Sequence, residues 1–258
     1  MDQVPVNARV AITAVIAFLG SWLLLRATDF ELSSSQQGLA LVAGLVLFIA
    51  AVIFLYRDYR PTGTATEDVE VGEPRLAHFL FSSTRSAPLW LGARIYLGWE
   101  WLDAGRHKVT EDAWMDGGTA LQGYWERAVA VPEGGGAPRA SYGLFREYLQ
   151  YMLDNEWYTW FAKIIAVGEV LVGIGLILGA LTGIAAFAGA LMNMSFMMAG
   201  SVSTNPILFF VSIFIILAWR VAGWIGVDRV LLPILGVPWR PGRAIDFEGR
   251  STRPAATT

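Results

Sequence analysis

Residues 157–179 read WYTWFAKIIAVGEVLVGIGLILG, 23 residues interrupted only by Lys163 near the start and Glu169 in the middle. A bilayer's hydrocarbon core is crossed by about 20 predominantly apolar helical residues, so this stretch is long enough to span one. Trp157 and Trp160 stand at one end, where aromatic rings suit a membrane–water interface. Gly168, Gly173, Gly175 and Gly179 give the same helix a small-residue surface for close packing. Working outward from it, five further apolar runs appear at 9–26, 38–57, 88–106, 183–200 and 206–225. Together the six runs predict an all-α integral membrane protein with six transmembrane helices. The first run is read as a retained helix rather than a signal peptide, because no A-x-A site follows Leu25 and Arg26 closes it.

Composition agrees. The chain has 258 residues, 55% of them hydrophobic, and a mean hydropathy of +0.47, too apolar for an ordinary soluble domain. A net charge of −3 gives no basic surface for nucleic acid. With no cysteine, the chain can form no disulfide, thiol nucleophile, iron–sulfur cluster or covalently attached haem. His78 and His107 are the only histidines, which argues against a bis-His haem or a metal site built from this chain alone.

Arginine placement orients the spans. With six crossings, the N-terminus, the linker after the second helix and the C-terminal tail share one side. That side carries Arg9, Arg57, Arg60, Arg75, Arg85, Arg229, Arg240, Arg243, Arg250 and Arg253. The opposite side has the short loop 27–37, with Asp29 and Glu31, the uncharged turn 201–205 and the acidic segment 107–156. The positive-inside rule makes both termini cytoplasmic. The expected organisation is a two-helix hairpin at 1–60, a cytoplasmic linker at 61–87, a four-helix bundle at 88–238 and a cytoplasmic tail at 239–258. Within the external segment 107–156, Trp114, Leu121, Tyr124, Trp125 and Val129 recur at helical spacing, as do Tyr142, Phe145, Leu149 and Met152. They predict short amphipathic helices separated by the glycine-rich stretch Pro132–Pro138.

The polar groups inside the spans are the functional candidates. At about 1.5 Å per residue through a core about 30 Å thick, Arg94, Glu169 and Arg220 count to nearly the same depth, about 18–21 Å from the outer face. A charge in hydrocarbon costs at least about 2.5–3.5 kcal/mol and normally faces a partner or a watery cavity. A Glu169 contact with Arg94, Arg220 or both is therefore expected, either as a structural clamp or as a proton-handling site. Glu100, Asp103 and His107 are spaced i, i+3, i+7 and share a helix face at the outer membrane surface, where a carboxylate beside a histidine can exchange protons. Their bland reading is a helix end closing in solvated charge. Asn193 lies mid-span and needs a hydrogen-bond partner, and Met192, Met194, Met197 and Met198 surround it in sequence.

Several long stretches carry a resemblance. Residues 91–108 (LGARIYLGWEWLDAGRHK), Trp114 and 117–125 (GGTALQGYW) form the first. Residues 168–206 (GEVLVGIGLILGALTGIAAFAGALMNMSFMMAGSVSTNP) and 216–236 (ILAWRVAGWIGVDRVLLPILG) follow in order. Over about residues 85–238 the chain resembles the DoxX/DoxD family, known as the membrane subunit of thiosulfate:quinone oxidoreductases and as a broad set of bacterial membrane proteins. The resemblance implies a DoxX-like four-helix bundle, here preceded by the N-terminal hairpin, in a bacterial or archaeal cytoplasmic membrane. It implies lipids and other membrane or periplasmic subunits as partners and quinone as the cofactor. Arg94, Glu169 and Asn193 occupy its family-like polar positions.

The leading expectation is a membrane subunit of a quinone-linked oxidoreductase complex that does not act alone. Glu169, Glu100, Asp103 and His107 are its proton-handling candidates. Arg94, Arg220, Asn193 and Trp101 are its headgroup-binding candidates, and no metal site is assigned. The alternatives are a non-catalytic accessory subunit of a larger respiratory or photosynthetic complex and a small-anion transporter.

Overall fold

A computed structural model describes residues 8–27, 32–58 and 73–237, and among them the protein is all-helical. In chain order the helices are α1 (Ala8–Arg26), α2 (Ser34–Asp58), α3 (Arg75–Ser82), α4 (Ala87–Thr110), α5 (Asp112–Met115) and α6 (Thr119–Val129). There follow α7 (Gly143–Asp154), α8 (Tyr158–Leu178), α9 (Thr182–Met198), α10 (Asn205–Leu217), α11 (Trp219–Ala222) and α12 (Asp228–Ile234). A 3-10 turn at Thr84–Ser86 joins α3 to α4. The acids Asp29 and Glu31, residues 59–72 of the expected linker and the tail 239–258 lie outside the described residues.

Two helices are long and apolar enough to cross a membrane, at Ser34–Phe54 and Tyr158–Leu178. A soluble core helix of such hydropathy would be mostly buried, yet only 22% of the first window and 33% of the second is. Leu39, Val46 and Phe54 on α2 and Ile164, Leu171 and Leu178 on α8 face outward. Of the other predicted spans, α4 has 24 residues but carries Arg94, Glu100 and Asp103 inside it. Helices α9 and α10 have 17 and 13 residues, about 26 and 20 Å at the α-helical rise. The run 206–225 is thus not one helix. It breaks at Ala218, after which α11 makes a single turn.

The structure divides into two compact units. The first comprises Met1–Gly72, Arg106–Val167 and Leu191–Ile207, and the second Glu73–Gly105, Gly168–Ala190 and Leu208–Thr258. In the first unit, α1 and α2 approach closely at Gly20 and Gly44, where an added Cβ would come within 2.8 Å of the Phe48 nitrogen and 2.9 Å of the Leu24 nitrogen. The hairpin is also tied to the 107–156 segment. Gln37, buried on α2, accepts the Leu144 N–H through its Oε1 at 2.9 Å, and the Tyr142 hydroxyl donates to the Ala27 carbonyl.

The expected amphipathic helices form as α6 and α7. Leu121, Trp125 and Ala128 meet Leu149 and Met152 in a core that includes Ala162 and Ile165 of α8 and Ala199. The Tyr124 hydroxyl donates to the Phe196 carbonyl at 3.2 Å.

In the second unit, the part of the linker expected as plain connector contains α3. Trp90 anchors it, donating its indole N–H to the Leu80 carbonyl at 2.7 Å and stacking on Phe81. Helices α4 and α8 pack antiparallel through glycines. An added Cβ at Gly98 would meet the Gly173 carbonyl, one at Gly173 would meet the Leu102 backbone, and one at Gly105 would meet the Val170 nitrogen, all within 3.0 Å. Such an approach is available only to residues without a side chain.

Candidate functional site

This register decides where the polar groups sit. Glu169 lies on the buried stripe of α8 with Ala166, Val172 and Leu176, and is 1% exposed. Its Cβ faces Gly105 of α4, 3.0 Å from where a Cβ there would be. Arg94, also 1% exposed, lies eleven residues from Gly105 along α4, about 16 Å at the helical rise. Its guanidinium rests against Gly179 and Gly226, and its Nη2 donates to the Ile225 carbonyl at 2.7 Å. The expectation that Arg94 and Glu169 share one depth is corrected. Depth counted inward from the end of each apolar run assumed that the two helices start level. In fact α8 begins about six residues, or about 9 Å, beyond the end of α4, and its first turns belong to the core with α6 and α7.

The expectation for Arg220 is corrected too. It is exposed, on the single turn of α11, with its guanidinium carbon 5.8 Å from the centroid of the Trp219 ring. A break in the backbone at Ala218 removes it from the polar interior that a continuous helix would have entered.

The acid facing Arg94 electrostatically is Asp228. Its carboxylate accepts the N–H groups of Leu181 at 2.6 Å and Thr182 at 2.9 Å. Thr182 opens α9, so Asp228 caps that helix from 46 residues away and satisfies donors that have no intrahelical acceptor. The preceding helix ends in a Schellman turn. The Ala180 N–H bonds to the Gly175 carbonyl and the Gly179 N–H to the Leu176 carbonyl, with Gly179 at a φ of +66° that glycine adopts without strain. Two further carbonyls at the end of α8, Leu178 and Gly179, accept the Val227 and Asp228 N–H groups. Arg94, the α8–α9 turn and the segment 225–228 therefore form one hydrogen-bonded junction. Any side chain at Gly179 would collide with the Arg94 guanidinium.

Trp101 lies between these levels, one helical turn before Gly105 on the same buried face of α4. It is 3% exposed, and its indole nitrogen sits over Gly189 of α9 and beside Val172 of α8, without an acceptor. Asn193, one turn beyond Gly189 on α9, is fully buried, and neither its Nδ2 nor its Oδ1 has a hydrogen-bond partner. An unpaired buried polar atom costs about 1–3 kcal/mol, which makes Trp101 and Asn193 candidate contacts for a further polar group.

Glu100, Asp103 and His107 do lie on one unbroken helix at i, i+3 and i+7. Glu100 and Asp103 are half-buried and His107 is exposed. They do not converge as a ligand set: among the described residues, no three His, Cys, Asp or Glu side chains are placed to hold a metal ion.

Sequence reasoning missed Asp228 and Thr182. The available signal was a lone acid in IGVDRVLLPIL, but its neighbour Arg229 gave it the look of a solvated surface pair. No protein-family model, curated protein or solved structure matches the chain.

Proposed function

We propose that the chain is a six-span membrane subunit of DoxX type that binds a quinone headgroup for a redox partner. The observation that carries the reading is the pairing of two buried groups. Trp101 offers an indole N–H with no acceptor among the described residues, and one helical turn further along α4 the buried Glu169 of α8 packs its Cβ against Gly105. A quinone carbonyl needs a hydrogen-bond donor, and its reduction needs a proton. Trp101 supplies the first and Glu169 the second, acting as a general acid whose protonation follows the redox state of the ring. Arg94 holds the α8–α9 turn, a positioning role away from the headgroup. Electrons come from a partner, because the chain has no cysteine and only two histidines with which to hold a redox centre.

The membrane-spanning reading is supported by the outward apolar residues of α2 and α8.

The test is purification of the native assembly in mild detergent, with mass spectrometry of its chains and extraction of its quinones. A redox partner with stoichiometric quinone is expected. In that assembly Glu169→Gln should lower quinone reduction about a hundredfold, the lower range of general acid–base contributions. Unchanged turnover would remove Glu169 from the mechanism. Recovery in a complex whose electron path bypasses the chain would replace the proposal with an accessory role.

A further inference from the structure

A groove of about 400 Å³ opens on the second unit beside the Arg94–Asp228 junction, within the size range of small-molecule sites, about 300–1,000 Å³. Its walls come from the start of α9, the end of α10 and the α12 region, with Ile184, Phe187, Ile216, Trp219 and Leu232 among the lining side chains. Of the eleven lining residues only Thr182 and Asp228 are polar. The Asp228 oxygens already accept two backbone N–H groups. The Thr182 hydroxyl is buried and has no hydrogen-bond partner among the described residues. At the rim, Arg220 is exposed with its guanidinium over the Trp219 ring that lines the groove. Arg229, next in sequence to groove-lining Asp228, is exposed with its guanidinium carbon 4.8 Å from the Trp224 ring centroid.

From this arrangement we infer a binding site for a single anionic phospholipid. One acyl chain lies in the apolar groove, the Thr182 hydroxyl donates to an ester carbonyl, and Arg220 meets the phosphate. A hydrocarbon wall excludes a water-soluble anion, and a cationic rim beside a Trp belongs at the membrane interface. The cytoplasmic leaflet, to which the charge-derived topology assigns this end of the unit, is the one that carries acidic lipids. The inference rests on the membrane-spanning part of the proposed function and is independent of quinone chemistry.

The experiment is native mass spectrometry of the full-length protein reconstituted from equimolar phosphatidylglycerol and phosphatidylcholine vesicles and released in mild detergent. Wild type should retain one phosphatidylglycerol per chain, with a preference of about fivefold, the weight of one basic side chain at an anionic surface. Arg220→Gln should bring that preference to near one. Ile184→Trp, at a groove position that is 65% exposed, should abolish retention of either lipid. Equal retention of the two lipids by wild type, or retention unchanged in both variants, overturns the proposal. So does a quinone as the retained molecule, or retention that appears only when residues 239–258 are deleted, which would make the tail the occupant. A chain that stays soluble without detergent defeats the membrane reading itself. A detergent-dependent chain without lipid preference defeats only the groove.

Discussion

Asp228 carries two loads with one carboxylate. It caps α9 through Leu181 and Thr182, and it is the negative charge that the buried Arg94 guanidinium senses. Removing a buried acceptor leaves its N–H donors unsatisfied and costs about 1–3 kcal/mol. Asp228→Ala should therefore lower the stability of the detergent-solubilised protein by that order, read as a drop in the thermal midpoint of helical circular dichroism. Asp228→Asn keeps an acceptor for the cap but not the charge, and should fall between. An alanine variant as stable as wild type would mean that the Leu181 and Thr182 N–H groups find another acceptor. At this scale the sequence showed which residues are costly, because an Arg or Glu inside an apolar run is visible by inspection. It did not show their partners. Whether Glu169 meets Arg94 depends on helix stagger, and the stagger is set by Gly98, Gly105 and Gly173, whose contacts lie far apart in the chain.

Elements were legible where periodicity was strong. The 3.6-residue spacing of Leu121, Tyr124, Trp125 and Val129 marked α6, and the buried face of α7 followed the same rule. The break at Ala218 was hidden, since apolar residues continue on both sides of Trp219 and hydropathy does not register a lost turn. The junction of α7 with the hairpin makes its own prediction. The Tyr142 hydroxyl donates to the Ala27 carbonyl, and burial raises its pKa above the ordinary value of 10.0. Burial also raises that of Tyr124, against the lowering effects of a Ser201 hydrogen bond, Arg127 and Arg139. A raised tyrosine pKa means that the neutral form is favoured in the folded state. Its contribution to stability is complete below about pH 10 and is lost as pH climbs through the higher folded value. Phenolate absorbance should show Tyr124 and Tyr142 ionising late, together with weakening of the α6–α7 packing. Tyr142→Phe should keep the helical content at neutral pH and remove part of that alkaline step. An alkaline phenolate step of the same size in wild type and in Tyr142→Phe would contradict the assignment.

At the scale of the whole molecule, the proposed six-span topology makes its own prediction. Arginine bias assigns 27–37, 107–156 and 201–205 to one side without using any contact. Hydrogen bonds from Tyr142 to Ala27, from Leu144 to Gln37 and from Tyr124 to Phe196 gather those regions without using any charge. An arrangement with an odd number of spans between 27–37 and 142–144 would put the bonded groups on opposite faces of a bilayer. The absence of native cysteine makes every introduced thiol a unique reporter of side. Glu133→Cys and Glu73→Cys both replace exposed residues and should be tolerated. In intact cells a membrane-impermeant maleimide should label the cysteine at 133 at once and reach the one at 73 only after permeabilisation. The reverse pattern would keep the six spans but invert the protein, moving the basic loops to the outside against the charge rule. Labelling of both before permeabilisation would put positions 73 and 133 on one side, and the number of crossings between them would then have to be even rather than the single span proposed.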